Sequence, residues 1–119
     1  MPYLDGFIVQ LPKKNLKAYR AMARRAGKIW REHGALDYKE CIADDVKPGK
    51  WTSFPRSVKM KQNETVVFSF VVYKSRADRD RCVAKVMNDK RLAAIMNPKT
   101  MPFDGQRMIH GGFKVLVQA

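Results

Sequence analysis

Apolar positions along the chain alternate between a period of two and one of roughly 3.6, and each change marks an element. Tyr3 to Leu11 is β-prone, with apolar residues on both faces near its middle, and Pro12 ends it because proline offers no ladder N–H. From Lys14 to His33 the helical period takes over. Leu16, Tyr19, Ala23, Ala26 and Trp30 form one stripe, and Gly34 stands where a helix ends. Ala35 to Ala43 returns to alternation, with Leu36, Tyr38, Glu40 and Ile42 on one face and Asp37, Lys39, Cys41 and Ala43 on the other. Asp44 to Asn63 is irregular but holds Trp51, Phe54 and Met60, so it reads as a loop packed on the body, with a short strand near Ser57–Lys61.

The longest β-prone run is Glu64 to Lys74. It is rich in Val, Phe and Tyr, without Gly or Pro, and apolar on both sides as a central strand would be. Ser75-Arg76-Ala77-Asp78 is a capping box with Asp in place of Glu. It opens a helix to about Asn88 that buries Ala77, Val83, Val86 and Met87. A short helix, Arg91 to Met96, packs Leu92 and Ile95, and Asn97-Pro98 stops it. Met101 to Gly105 is a turn. Arg107 to Val117 is the last strand, where Gly111-Gly112 predicts a bulge or the close approach of another group.

The order β-α-β-β-α-β is the ferredoxin-like split βαβ arrangement, an α+β fold with helices on one face of an antiparallel sheet. Its first and third strands are central. Both are apolar on the face the helices leave open, so that face needs a cover. A second copy of the chain supplies one by sheet-to-sheet packing in a two-fold homodimer.

Composition narrows the function classes. The 119 residues suit one domain spanning 1–119. No apolar run approaches the roughly 18 residues of a transmembrane helix, and the N-terminal stretch does not read as a signal peptide, so no membrane partner is expected. Cys41 and Cys82 read as free, mostly buried thiols of a cytoplasmic protein. The formal net charge of +13, from 24 Lys and Arg against 11 Asp and Glu, favours an anionic partner. Lys17, Arg20, Arg24, Lys28 and Arg31 lie opposite the apolar stripe of the first helix, and no acid occurs between Lys13 and Arg31 to pair with them.

Several residue sets resemble a known family. Asp5-Gly6-Phe7, Pro12 to Leu16, Glu32-His33-Gly34-Ala35-Leu36, Thr52-Ser53-Phe54-Pro55 and Glu64 to Ser69 form one group, and Met101 to Gly105 and Gly111 to Lys114 another. Together they resemble the YbaA-like family of small bacterial proteins of unknown function, over nearly the whole chain. The resemblance implies a dimeric α/β barrel in which two ferredoxin-like sheets face each other. It brings no established activity: the wider superfamily includes cofactor-independent monooxygenases, haem-degrading enzymes and small-molecule stress proteins.

The candidate chemistry divides into three readings. In the first, a barrel binds a small, anionic organic molecule, with Trp30, Trp51, Phe54, Phe68 and Phe70 lining the pocket. Catalysis there would be cofactor-free oxidation or isomerisation. His110 would act as base or positioner, and Tyr38 and Glu40 as phenol donor and carboxylate base, if their face points inward. In the second, the Phe68-Ser69-Phe70 stretch and Phe7 stack RNA bases, as in RNA recognition motifs, while the basic helix face tracks phosphates. Val66-Val67 and Ser69 depart from that signature, and packing is the preferred role of these rings. In the third, the chain is a structural or interaction protein. His33 reads as a helix cap and Asp104 as an Asx-type turn. His33, His110, Cys41 and Cys82 lack ligand spacing, and no phosphate loop or nucleophile motif occurs, so no metal or cofactor is expected.

Overall fold

Alternation along β1 (Tyr3–Pro12) sends Tyr3, Asp5, Phe7, Val9 and Leu11 to one face of the sheet and Leu4, Gly6, Ile8 and Gln10 to the other. The computed structural model, which describes residues 1–119, pairs β1 antiparallel with β3 (Glu64–Tyr73), Tyr3 opposite Tyr73 and Pro12 opposite Glu64. β4 (Ile109–Lys114) flanks β1 with His110 opposite Phe7, and β2 (Asp37–Ile42) flanks β3 with Glu40 opposite Ser69. The strand order is β2-β3-β1-β4. This is the expected ferredoxin-like α+β sheet. Within one chain it stays open, with β2 and β4 as free edges.

Long helices cover one face only. α1 (Leu16–Glu32) follows a short 3-10 turn and buries Tyr19, Met22, Ala23, Ala26, Gly27 and Ile29. It ends in a Schellman motif: Ala35 N–H donates to the Trp30 carbonyl at 3.1 Å, and Gly34 N–H to that of Arg31 at 3.2 Å. Gly34 sits at φ +115°, which a side chain would strain. α3 (Arg76–Met87) begins as its capping box predicts, with Asp78 N–H donating to Ser75 Oγ at 3.1 Å. It buries only Cys82 and Val86, however. Ala77 and Met87, expected in the core, are exposed, because α3 touches the sheet along one narrow i, i+4 stripe. α4 (Lys90–Ile95) is capped by Asp89, whose carboxylate also meets His33 Nε2 at the end of α1, 2.8 Å away.

Two apolar clusters fill the space between sheet and helices. One joins Tyr3, Ile29, Val71, Tyr73, Cys82 and Val86; the other joins Val9, Leu11, Tyr19, Met22, Val67 and Phe103. Phe103 reaches its place through the predicted turn, where Asp104 accepts from Gln106 N–H at 3.0 Å.

Two local expectations change. The segment expected to hold a strand near Ser57 instead forms α2 (Phe54–Ser57), because Ser53 accepts from Arg56 N–H and Pro55 suits a first helical turn. This loop folds over one end of the open face, where it buries Val58. Gln10, on the same face, donates its amide to the carbonyls of Val58 and Arg107, both at 2.8 Å. The last strand stops at Lys114 rather than Val117. Val115 N–H still reaches the Pro2 carbonyl at 3.1 Å, but the pairing ends there, and Leu116 is 90% exposed. The close approach expected at the double glycine occurs at Gly112, where a Cβ would lie 2.4 Å from Tyr3 Oη.

The face away from the long helices carries Leu4, Ile8, Phe68, Phe70, Val72, Ile109 and Phe113. Phe68 is 44% exposed and Phe113 61%. Neither apolar core cluster includes any of them.

Candidate functional site

The helical period of α1 and the alternation of β2 meet in one cleft. α1 turns Tyr19, Ala23 and Gly27 toward β2 and leaves Arg20, Arg24, Lys28 and Arg31 exposed along the rim. β2 turns Tyr38, Glu40 and Ile42 toward α1. The space between them is about 740 Å³, within the range of small-molecule sites.

Its polar centre is a carboxylate held by two phenols. Tyr19 Oη donates to Glu40 Oε1 at 2.7 Å, and Tyr38 Oη donates to Glu40 Oε2 at 2.6 Å. Burial raises the pKa of both phenols, and the Glu40 charge and hydrogen bonds add to that, so both stay protonated as donors. The rim is the opposite in sign. None of Arg20, Arg24, Lys28 or Arg31 forms an ion pair; the nearby Glu32 is held by Arg91 at 2.6 Å. An anion at the rim would meet cations whose hydrogen bonds are not already committed to carboxylates.

Gly27 sets the approach of the two elements. A Cβ there would lie 2.8 Å from Tyr38 Cδ1, so the Tyr38 ring lies directly against the α1 backbone. Glycine inside a helix costs about 1 kcal/mol relative to alanine, and that close approach is what offsets the cost. Gly27→Ala is therefore expected to destabilise the protein by about 1–2 kcal/mol, the reverse of its effect in an open helix. Urea unfolding checks this, and a stabilised variant would show that the Tyr38 ring is free to move.

Behind Tyr38 the cleft wall continues into a buried relay. The Trp30 ring lies 6.1 Å from that of Tyr38. Trp30 Nε1 donates to Tyr73 Oη at 3.1 Å, Tyr73 Oη donates to Asp5 Oδ2 at 3.0 Å, and Arg79 Nη1 donates to Asp5 Oδ1 at 2.9 Å. The Arg79 guanidinium also lies over the Tyr3 ring at 4.9 Å.

The structure brings Tyr38 and Glu40 together and sets other expected residues apart. His110 lies on β4, at the opposite edge of the sheet, exposed and stacked on Phe7 at 6.1 Å; two strands separate it from Glu40. Phe54, Phe68 and Phe70 do group, with ring centroids 6.1 and 6.3 Å apart, but on the face away from the cleft. Trp51 is 84% exposed on the loop, under Lys50 Nζ. Trp30 alone of the expected pocket aromatics adjoins the cleft, through Tyr38. Phe7 corrects the base-stacking reading: its side chain points to the helix-covered face, opposite to Phe68 and Phe70, so the three rings form no common platform. Lys17 is exposed on α1 but does not line the cleft. Cys82 is buried as expected, whereas Cys41, on the outer face of an edge strand, is exposed. No three His, Cys, Asp or Glu side chains gather as metal ligands.

Sequence reasoning missed Tyr19 and Gly27. Tyr19 looked like one more member of the apolar stripe. Its signal was the phenol itself, which needs a partner once buried, and Glu40 is the acid among the inward residues of β2.

Residues 2–105 match the family described as "Protein of unknown function (DUF1428)". The uncharacterized protein YbaA of Escherichia coli (strain K12) is 45% identical over 117 residues, covering 98% of each chain. Among solved structures, a dimeric ferredoxin-like protein from an uncultured marine organism superposes with a TM-score of 0.63 at 11% identity, covering 99% of this chain and 98% of that one. SnoaB, a cofactor-independent oxygenase from Streptomyces nogalater, superposes with a TM-score of 0.57 at 12% identity, covering 98% and 93%. At such identities the two structures are alike in fold alone. The family model spans most of the chain and the E. coli relative nearly all of it, so this protein belongs to the DUF1428 family.

Proposed function

We propose that this protein is a homodimer that binds a small organic anion in the cleft between α1 and β2. One observation carries the ligand reading: four unpaired cations, Arg20, Arg24, Lys28 and Arg31, stand over a partly apolar cleft with the Tyr19–Glu40–Tyr38 cluster at its floor. The dimer reading rests on the uncovered apolar sheet face, and a dimeric ferredoxin-like protein shares the fold. Two such faces packed together would make the α/β barrel. Chemistry in the cleft, of the cofactor-free kind seen in the oxygenase that shares this fold, falls to Glu40 and the two phenols. His110 lies outside that cluster. The RNA reading has no comparable support, because Phe7 is turned away and four of its five phosphate-tracking cations are the rim of this cleft.

Calorimetric titration with straight-chain carboxylates, from butanoate to decanoate, tests the ligand reading. One site per chain is expected. The Arg24→Ser, Lys28→Ser double variant is expected to bind at least about tenfold more weakly, since each charge-assisted hydrogen bond contributes about 1.5–3 kcal/mol. Unchanged affinity with an unchanged fold would place the binding elsewhere.

A further inference from the structure

We infer that the ligand of this cleft is an organic anion bearing a hydroxyl or ammonium donor at the end remote from its charge. The inference rests on the anion-binding reading above and specifies the other end of the molecule. A phenol has one proton to donate. Tyr19 commits its proton to Glu40 Oε1 and Tyr38 commits its own to Glu40 Oε2. The floor is therefore left with lone pairs on two phenol oxygens and a carboxylate, and with no free side-chain donor. A carbonyl, ether or second carboxylate placed there would lose its hydration and find only acceptors. A hydroxyl or ammonium would find up to three.

The burial of Tyr19 and Tyr38 holds both phenols protonated, so each keeps its single proton committed to Glu40. Leu16, Ala23, Ile42 and Val67 supply apolar walls around it. The ligand is thus polarised lengthwise: anion at the α1 rim, apolar middle, donor at the floor. A site built to hydrogen-bond a particular donor rejects the analogue that lacks it, because the buried acceptors are left unpaired.

The test compares ω-hydroxy, ω-amino and ω-methoxy alkanoates with the unsubstituted acids of equal chain length, by calorimetry on the intact protein. At the best length, the hydroxy or the amino probe is expected to bind about tenfold tighter than the methoxy probe, which keeps the oxygen but cannot donate. A gain for either head supports the inference and identifies it. Two variants should then act in opposite directions. Glu40→Gln places an amide donor at the floor and should bring the ratio to near one. Tyr38→Phe frees Glu40 Oε2 and should preserve or increase the preference. Hydroxy and amino probes that both bind no tighter than the methoxy probe at every length would overturn this inference and leave the anion reading intact. Binding of no probe would overturn both.

Discussion

Replacing Asp5 with alanine is expected to lower the unfolding free energy by about 3–5 kcal/mol, the range for removing one partner of a buried ion pair. Asp5 lies in the central strand β1, on the helix-covered face, and is buried. Its carboxylate accepts from Arg79 on one oxygen and Tyr73 on the other. Without it, the Tyr73 phenol loses its acceptor and the largely buried Arg79 guanidinium keeps only Asp80, at 2.8 Å, as a carboxylate partner. Asp5→Asn retains an acceptor and should lose less. The double variant Asp5→Leu, Arg79→Met removes both charges and should recover much of the loss, since a buried pair replaced by apolar groups is often neutral. Urea midpoints for the three variants check the prediction. A loss below about 1 kcal/mol for Asp5→Ala would mean that Asp80 alone is enough to hold Arg79.

Phe68→Glu is expected to convert the protein into a folded monomer. Phe68 sits in the second central strand, half-exposed on the face the long helices leave bare, beside Phe70 and Phe54. Across β1, Gly6 and Gly111 stand opposite each other. A Cβ at either would lie 3.8 Å from the Phe113 ring, so that ring lies over the glycine pair and broadens the apolar surface. In a two-fold assembly each substitution acts twice. Loss of two buried phenylalanines, at about 1.5–3 kcal/mol each, weakens association at least a hundredfold before the buried charge is counted. Sedimentation should show a wild-type dimer and a variant monomer with an unchanged circular dichroism spectrum. A wild-type monomer at micromolar concentration would overturn the dimer. Because Phe68 faces away from the α1–β2 cleft, carboxylate binding should survive in the monomer.

The helix-covered face was legible in outline because burial leaves a periodic trace. The α1 stripe and the doubly apolar β1 and β3 emerged from spacing alone, and so did the Ser75 and Gly34 caps, whose chemistry is local. Where a segment had weak periodicity, the reading slipped. α3 looked wider in its buried face than it is, and the loop after β2 hid a helical turn that Ser53 and Pro55 announce only once the strand alternative is dropped.

The site was legible in pieces and not as a whole. Tyr38 and Glu40 share a strand face two residues apart, and alternation shows that directly. Tyr19 is 21 residues from Glu40, and Arg79 is 74 from Asp5. No local signal joins such pairs. By itself the sequence determined the four strands and the long helices, their order, the ferredoxin-like topology and the excess of positive charge on α1. Only the tertiary structure decided that Tyr19 and Tyr38 close on one carboxylate, that the basic rim stands over them, and that His110 and Phe7 lie elsewhere. The reason is physical: periodicity records which side of an element avoids water, whereas a site depends on which elements become neighbours and how closely a residue as small as Gly27 lets them approach.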